Sequence, residues 1–312
     1  MADEALALLA PLHGARPPAP DWYLALAAAT PETGFVELDG VPIEYFTWGQ
    51  IGAPGLLLVH GSRAHARWWG PVAPLLAQAG YRVAAMSFSG HGGSGWRENY
   101  DMGQQGREMF AAATAAGLDA GGARFFIGAH SFGGLTAVNA VPGHEAALAG
   151  MFLVDSALTP QHLDPTDSFS RKLRAYSSQD EALARFRLAP PQGCDNLYLL
   201  DEIARQALVE ENGVWRWRFD PLYFDNLLRG DAWGILATLT TRLAIIYGER
   251  SILFDGERLT AFIEQAPAGT PFIGIPEAGH HVMLDQPLAL TAAIRTLLAC
   301  WRQDIASVKT AA

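Results

Sequence analysis

Short apolar runs recur along the chain, and most of them lack the alternation of apolar and polar positions shown by half-exposed strands. Such runs are typical of strands buried on both faces. Helical patterns lie between most of them, which predicts an α/β fold with a mainly parallel eight-stranded sheet and helices on both faces. Asp39-Gly40 predicts a hairpin between the first two strands. The predicted strands are residues 35–38, 41–46, 56–59, 82–88, 125–127, 151–154, 243–247 and 272–275.

Helical patterns mark both ends of the chain. A helix is expected near 21–29, within a peripheral N-terminal arm. A closing helix has Pro287 in its first turn, a position that tolerates proline. Its apolar residues follow helical spacing at Leu290, Ile294, Leu297, Leu298 and Trp301.

The alternation of strand and helix stops between about residues 157 and 240. Positions 200, 203, 204 and 208 have helical spacing, and no strand-like apolar run is evident. We therefore predict a helical insertion between strands six and seven. In an enzyme its aromatic residues would form the lid of an apolar pocket, although they could equally pack a core of their own. They are Phe169, Tyr176, Phe186, Tyr198, Trp215, Trp217, Phe219, Tyr223, Phe224 and Trp233.

These patterns divide the 312 residues into an arm (1–34), a core (35–156 and 241–312) and the insertion (157–240). Half of the residues are hydrophobic, which suits a globular protein. The net charge of −10 and the lack of a basic patch argue against a nucleic-acid partner. No apolar run is long enough to span a membrane, and acidic residues precede the first apolar stretch, so we expect a cytoplasmic protein. The oligomeric state is not predicted.

No cofactor or metal is expected. Cys194 and Cys300 lack metal-ligand spacing and are interpreted as two buried or half-buried thiols. Gly90, Gly92 and Gly95 fit G-x-G-x-x-G, but no helix pattern follows at once, as dinucleotide binding requires. A P-loop, an H-E-x-x-H motif and a C-x-x-C motif are all missing from the sequence.

Ser131 is the candidate nucleophile. It lies between the apolar run 125–127 and a helical pattern, with Ala129 and Gly133 two positions to either side. Small residues at these positions allow the sharp strand-to-helix turn that exposes a serine hydroxyl and directs a helix N-terminus at it. The usual pattern has glycine in place of Ala129, a departure of one methyl group.

Four motifs, taken in order, resemble those of the α/β-hydrolase superfamily. They are His60-Gly61 after the third strand, Ser89–Gly95 after the fourth, Ala129–Gly133 after the fifth and Gly279-His280 after the last. The resemblance covers roughly residues 35–156 and 241–302, and the insertion falls where that fold usually has its cap. It implies a serine hydrolase.

A serine hydroxyl needs a base within hydrogen-bonding reach. Among nine histidines, His280 occupies the position that the family gives to its catalytic histidine. On an extended loop the neighbouring His281 would point away from it and serve packing. We expect His130 to support the serine turn and His60 to hold the loop after the third strand.

The acidic partner of the histidine is left open. The resemblance points to the fourth position of a Gly-x-x-Asp pattern, where this chain has Ser251. Some members of the superfamily carry the acid after the strand that follows the nucleophile, and there this chain has Asp155. Asp155 is therefore the first choice and Glu249 the second, and Asp255 or no acid at all remains possible.

An oxyanion hole needs two N–H groups. Phe132, after the nucleophile, supplies one, and the resemblance assigns the other to Ser62. We predict that the pocket is lined by the aromatic side chains of Trp68, Trp69, Trp215 and Tyr223.

Together these features predict a cofactor-independent serine hydrolase that cleaves a small apolar or aromatic ester or lactone through Ser131, His280 and Asp155. Carbon–carbon bond hydrolysis or peracid chemistry on the same site is an alternative. A non-catalytic ligand-binding module on the same scaffold is another.

Overall fold

Eight strands form the main sheet of the computed structural model, which describes residues 7–158, 174–228 and 230–311, with side chains to residue 303. Their order across the sheet is β1-β2-β4-β3-β6-β7-β11-β12. The pairs β1–β2 and β2–β4 are antiparallel and the others parallel, which confirms the predicted sheet. The strands are β1 (Glu32–Leu38), β2 (Val41–Trp48), β3 (Gly55–Val59), β4 (Arg82–Met86), β6 (Phe125–His130), β7 (Leu148–Val154), β11 (Leu243–Gly248) and β12 (Phe272–Ile275).

Within the described ranges, four short strands lie outside the main sheet. β5 (Tyr100–Asp101) pairs with β10 (Leu227–Leu228), and β8 (Leu208–Glu211) pairs with β9 (Val214–Trp217). The α-helices are α1 (Asp21–Ala27), α2 (Ala73–Gln78), α3 (Met102–Ala115), α4 (Phe132–Ala140), α5 (Gln179–Leu183), α6 (Leu197–Gln206), α7 (Ala232–Leu236), α8 (Gly256–Gln265), α9 (Val282–Asp285) and α10 (Pro287–Ala311). No described helix combines the length and the apolar character needed to cross a membrane.

The sheet has a hydrophobic core on each face. In β3, Leu56 and Leu58 pack into one core and Leu57 and Val59 into the other, because successive side chains of a strand point to opposite faces. Helices α2, α6, α9 and α10 cover the first face, and α3, α4, α7 and α8 cover the second. Full burial of such a side chain contributes about 1.5–3 kcal/mol, so a strand with apolar residues on both sides is stable only between two layers of helices.

Between β7 and β11 the chain leaves the main sheet, and this part differs from the purely helical insertion expected from the sequence. It contains the β8–β9 hairpin, whose first strand begins at Leu208. Asn212 and Gly213 form its two-residue turn with φ of 52° and 77°. Both values lie in the left-handed region that a type I′ turn requires, and Asn-Gly is the commonest sequence for it. Phe169 lies outside the described residues.

Two smaller expectations also need adjustment. β1 begins at Glu32, inside the stretch assigned to the N-terminal arm. Cys194 is buried as expected, whereas Cys300 on α10 is exposed, so the assignment of two buried or half-buried thiols was wrong for Cys300.

Candidate active site

Ser131 lies on the sharp turn between β6 and α4. Its φ of 52° and ψ of −123° are unusual for a residue with a side chain, so the surrounding structure must hold the turn in place. A Cβ on Gly133 would lie 2.4 Å from the carbonyl oxygen of His60, and one on Gly134 would lie 2.3 Å from Ser156 Oγ. Helix α4 can therefore lie this close to His60 and Ser156 only because positions 133 and 134 are glycine. Ala129 is fully buried in β6, so its extra methyl group is accommodated.

The structure brings Ser131, His280 and Asp155 together, although 149 residues separate the first two in the chain. The Ser131 hydroxyl lies 2.9 Å from His280 Nε2. On the other side of the ring, Nδ1 lies 2.7 Å from Asp155 Oδ1. Because a carboxylate only accepts hydrogen bonds, Nδ1 carries the proton and Nε2 is free to accept from the serine. This relay is the arrangement that activates a serine as a nucleophile.

Asp155 is held by three hydrogen bonds directly after β7. Its Oδ1 accepts from His280 Nδ1 and from the Ser251 hydroxyl at 2.6 Å, and its Oδ2 accepts from the Gly248 N–H at 2.8 Å. Asp155 is fully buried and has a φ of 46°. Ser251, at the position where the resemblance expected the acid, therefore donates to Asp155. We did not foresee this role, because it depends on the distance between two strand ends.

The other two acid candidates lie elsewhere. Glu249 is exposed, directly after β11. The Asp255 side chain accepts the Arg258 N–H at the start of α8. Neither has a recorded hydrogen bond to His280 in the described part of the chain.

The loop after β3 lies against Ser131. A Cβ on Gly61 would come within 3.0 Å of Ser131 Cβ. Within the described residues, no acceptor is recorded for the N–H of Ser62 or of Phe132. His60 holds this loop, since its Nδ1–H donates to the Gly61 carbonyl at 2.7 Å and its Nε2 accepts the Phe88 N–H at 3.1 Å.

Two further histidines surround His280. His130 Nε2 lies 3.1 Å from the His280 carbonyl oxygen. The His281 ring lies 4.8 Å from that of His280 and 5.2 Å from that of Trp68. The two neighbouring rings do not point apart as expected, because the chain turns at His281 to begin α9. Burial lowers the pKa of His130 and of His281 well below the usual value, so both are neutral at pH 7.

His130, His280 and His281 are also the one set of potential metal ligands found among the described residues, with donor atoms within 4.8 Å of one another. Both ring nitrogens of His280 are already bonded, to Asp155 and Ser131. A metal would have to displace one of these bonds, so the arrangement serves the serine better than a cation.

The four predicted pocket residues have different surroundings. Tyr223 is buried, with its ring centroid 6.0 Å from that of Phe132, and Trp68 packs on His281. Trp69 is fully buried in the core. Trp215 lies on β9 and its backbone pairs with Tyr176. Phe224, one of the aromatic residues of the insertion, has its ring centroid 5.7 Å from that of Phe132.

Comparisons with known proteins agree with this fold. The sequence model of the alpha/beta hydrolase family matches residues 56–294. The esterase Rv0045c of Mycobacterium tuberculosis is 26% identical over 268 residues, which cover 82% of this chain and 86% of the esterase. The lipase LipV of the same organism is 25% identical and covers 80% of this chain and 95% of its own. The thioesterase domain from the curacin biosynthetic pathway superposes with a TM-score of 0.69 at 22% identity, over 86% of this chain and 99% of that domain.

Proposed function

The chain belongs to the α/β hydrolase family, and on that premise we propose that it is a cofactor-independent serine hydrolase that cleaves a carboxylic ester or lactone. The observation that carries the proposal is the relay from Ser131 through His280 to Asp155, with distances of 2.9 Å and 2.7 Å. The similarity to an esterase and a lipase over most of their lengths supports ester chemistry.

In this reaction His280 Nε2 takes the proton of Ser131 as the hydroxyl oxygen attacks the carbonyl carbon. Asp155 holds the imidazole in the required tautomer and stabilises the imidazolium that forms. His280 then gives the proton to the leaving alkoxide, and the acyl group remains on Ser131. Water, deprotonated by the same nitrogen, releases the acid and restores the serine.

The N–H groups of Phe132 and Ser62 would stabilise the oxyanion. Phe132 is the first residue of α4, so its N–H points out of the helix N-terminus, where negative charge is favoured. The closeness of Gly61 to Ser131 supports Ser62 as the second donor. Removal of one such donor typically lowers turnover about 10²–10³-fold.

The substrate we propose is a small apolar or aromatic ester or lactone. Tyr223 and Phe224 pack in T-shaped contacts against the ring of Phe132, so aromatic side chains adjoin the residue after the nucleophile, which suits an apolar acyl or alcohol group. Both belong to the segment 157–240, and this supports its assignment as a cap over a core made of 35–156 and 241–312.

The test is Ser131→Ala, assayed with a panel of acyl esters and lactones beside the wild type. We expect turnover to fall by at least about 10³-fold with an unchanged melting temperature. A fluorophosphonate probe should label the wild type and leave the variant unlabelled. Turnover retained in Ser131→Ala would refute the nucleophile, and an unlabelled wild type would favour a binding module.

A further inference from the structure

The turn that carries His280 is held by two polar side chains from different parts of the chain. Asp285, at the end of α9, accepts the Gly279 N–H at 2.7 Å through Oδ2. Gln192, from the segment between β7 and β11, accepts the His281 N–H at 3.0 Å through Oε1. The amide before His280 and the amide after it are therefore each fixed by a side chain.

Gln192 and Asp285 are also bonded to each other. Gln192 Nε2 donates to Asp285 Oδ1 at 3.1 Å and to Oδ2 at 2.9 Å. Because Oε1 is occupied by His281 N–H, the amide group can face Asp285 only with its NH₂ side. The arrangement therefore requires acceptors on both Asp285 oxygens, as an ionised carboxylate provides.

Two further contacts tie the same segment to this turn. Asn196 Nδ2 donates to the carbonyl oxygens of Leu284 and Asp285, at 2.7 Å and 3.0 Å. A Cβ on Gly279 would lie 3.0 Å from Gln192 Oε1, so the glutamine packs closely over the backbone before His280.

We propose that Gln192 and Asp285 are positioning residues that hold the His280 imidazole in line between Ser131 and Asp155, and thereby make catalysis depend on the segment between β7 and β11. This inference rests on the proposed role of His280 as the base. Neither side chain has a recorded hydrogen bond to Ser131 or to Asp155 among the described residues, so both act through the backbone of the turn. Since a displacement of about 1 Å at a reacting group can cost about 10²-fold in rate, loss of this clamp should lower turnover more than stability.

Solvent reaches the clamp through a cavity of about 310 Å³. Asp195, Glu277 and Arg250 line it beside Gln192 and Asp285. Burial raises the pKa of Asp285, the Gly279 N–H and the Gln192 amide lower it, and the charges of Asp195 and Asp155 raise it. Protonation of Asp285 would remove an acceptor that the clamp uses.

The first test compares Asp285→Asn and Gln192→Leu with Asp195→Asn, which changes an exposed carboxyl beside the same cavity. Asparagine at 285 would turn an NH₂ group toward either the Gly279 N–H or the Gln192 NH₂. We expect kcat to fall about 10–10²-fold in Asp285→Asn and less in Gln192→Leu, with KM nearly unchanged, and Asp195→Asn to behave as the wild type. The rate of fluorophosphonate labelling of Ser131 should fall with kcat.

The second test is the pH dependence of Gln192→Glu. Above neutral pH the new carboxylate repels Asp285 and cannot donate to it, whereas at lower pH a shared proton restores the bond. The ratio of its kcat/KM to that of the wild type should therefore rise as the pH falls from 8 to 6. A purely structural defect would leave this ratio constant.

Unchanged kcat in Asp285→Asn, or a constant ratio for Gln192→Glu, would overturn the clamp. Loss of kcat that merely follows a lower melting temperature would do the same. These outcomes differ from failure of the proposed function, since that failure shows as turnover in Ser131→Ala whatever happens at Gln192 and Asp285.

Discussion

At the scale of single residues, Asp155 is more tightly held by burial and hydrogen bonds than Ser131 or His280. It is fully buried, and its two oxygens accept hydrogen bonds from His280, Ser251 and Gly248. Asp155→Asn would place an NH₂ group against one of these donors and favour the wrong tautomer of His280. We expect kcat to fall about 10⁴-fold, measured by steady-state hydrolysis of an active ester. Glu249→Gln, which changes an exposed carboxyl, is the control and should stay within about twofold of the wild type.

An exchange of the side chains of Asp155 and Ser251 is an independent test of the same assignment. Ser251 Oγ lies 2.6 Å from Asp155 Oδ1, so a carboxylate carried by either residue would lie near His280 Nδ1. The double variant Asp155→Ser, Ser251→Asp should therefore recover at least about tenfold of the activity lost in Asp155→Ser alone. If Glu249→Gln proves more damaging than Asp155→Asn, the acid has been assigned to the wrong residue.

The sequence identified the two members of the relay that have strong local signals. Ser131 lies in a pattern of small residues between a strand and a helix, and His280 follows the last strand. The sequence does not identify the acid, because the acid must only lie close to His280 Nδ1. Carboxylates that follow either of two neighbouring parallel strands can meet that requirement. In the structure Asp155 Oδ1 lies 2.7 Å from His280 Nδ1, which supports the proposal that Asp155 is the acid.

At the scale of elements, the main sheet was predictable because most of its strands are uninterrupted apolar runs, whose burial needs two helical layers. The segment between β7 and β11 was less predictable, since its strands β8 and β9 are only four residues long and, apart from the buried Leu208, lie at half-buried or exposed positions. Asn212-Gly213 is the local sequence signal for this hairpin. The bonds of Gln192 to Asp285 join residues 93 positions apart, and no local pattern reports such a contact.

β11 ends at Gly248, against the turn that follows β12 and carries His280. The lack of a side chain at Gly248 allows the strand end and this turn to lie close together. Its N–H donates to Asp155, and a Cβ there would lie 2.2 Å from the Gly279 carbonyl oxygen and 2.4 Å from that of Ala278. Backbone atoms cannot rotate away, so Gly248→Ala must push the strand end and the histidine turn apart. We expect a loss of about 10²-fold in kcat, measured with the same ester.

Gly256→Ala is the matched control for this change. Gly256 is the first residue of α8, and nothing lies within 4 Å of a Cβ built there. Alanine should leave the activity unchanged and raise the melting temperature slightly, because glycine is the poorer helix former. Equal activity in Gly248→Ala and Gly256→Ala would show that strand spacing does not position His280.

At the scale of the whole molecule, buried histidines make stability depend on pH. Burial is the main cause of a lowered pKa in each of them, to about 3 for His65 and about 4 for His91. Among the residues that the structure describes, His60, His130 and His281 also have lowered pKa values. Burial acts in the opposite direction on Glu108 and Asp285, whose pKa values are raised.

The sign of the effect follows from which state binds protons first. Below about pH 6.5 the unfolded chain protonates its histidines while the folded chain keeps these five neutral, so the free energy of unfolding falls with pH. Each histidine then costs about 1.4 kcal/mol at pH 5.5 relative to neutral pH. Glu108 and Asp285 bind protons earlier in the folded state and offset a part of this loss.

Urea unfolding at pH 7.5, 6.5 and 5.5 should show that the free energy of unfolding decreases by several kcal/mol across that range. His65→Gln should make the decrease shallower by about 1.4 kcal/mol, whereas His144→Gln, at an exposed position, should leave it unchanged. If the free energy of unfolding of His65→Gln falls as steeply between pH 7.5 and 5.5 as those of the wild type and His144→Gln, burial of neutral imidazoles does not cause the loss of stability in acid.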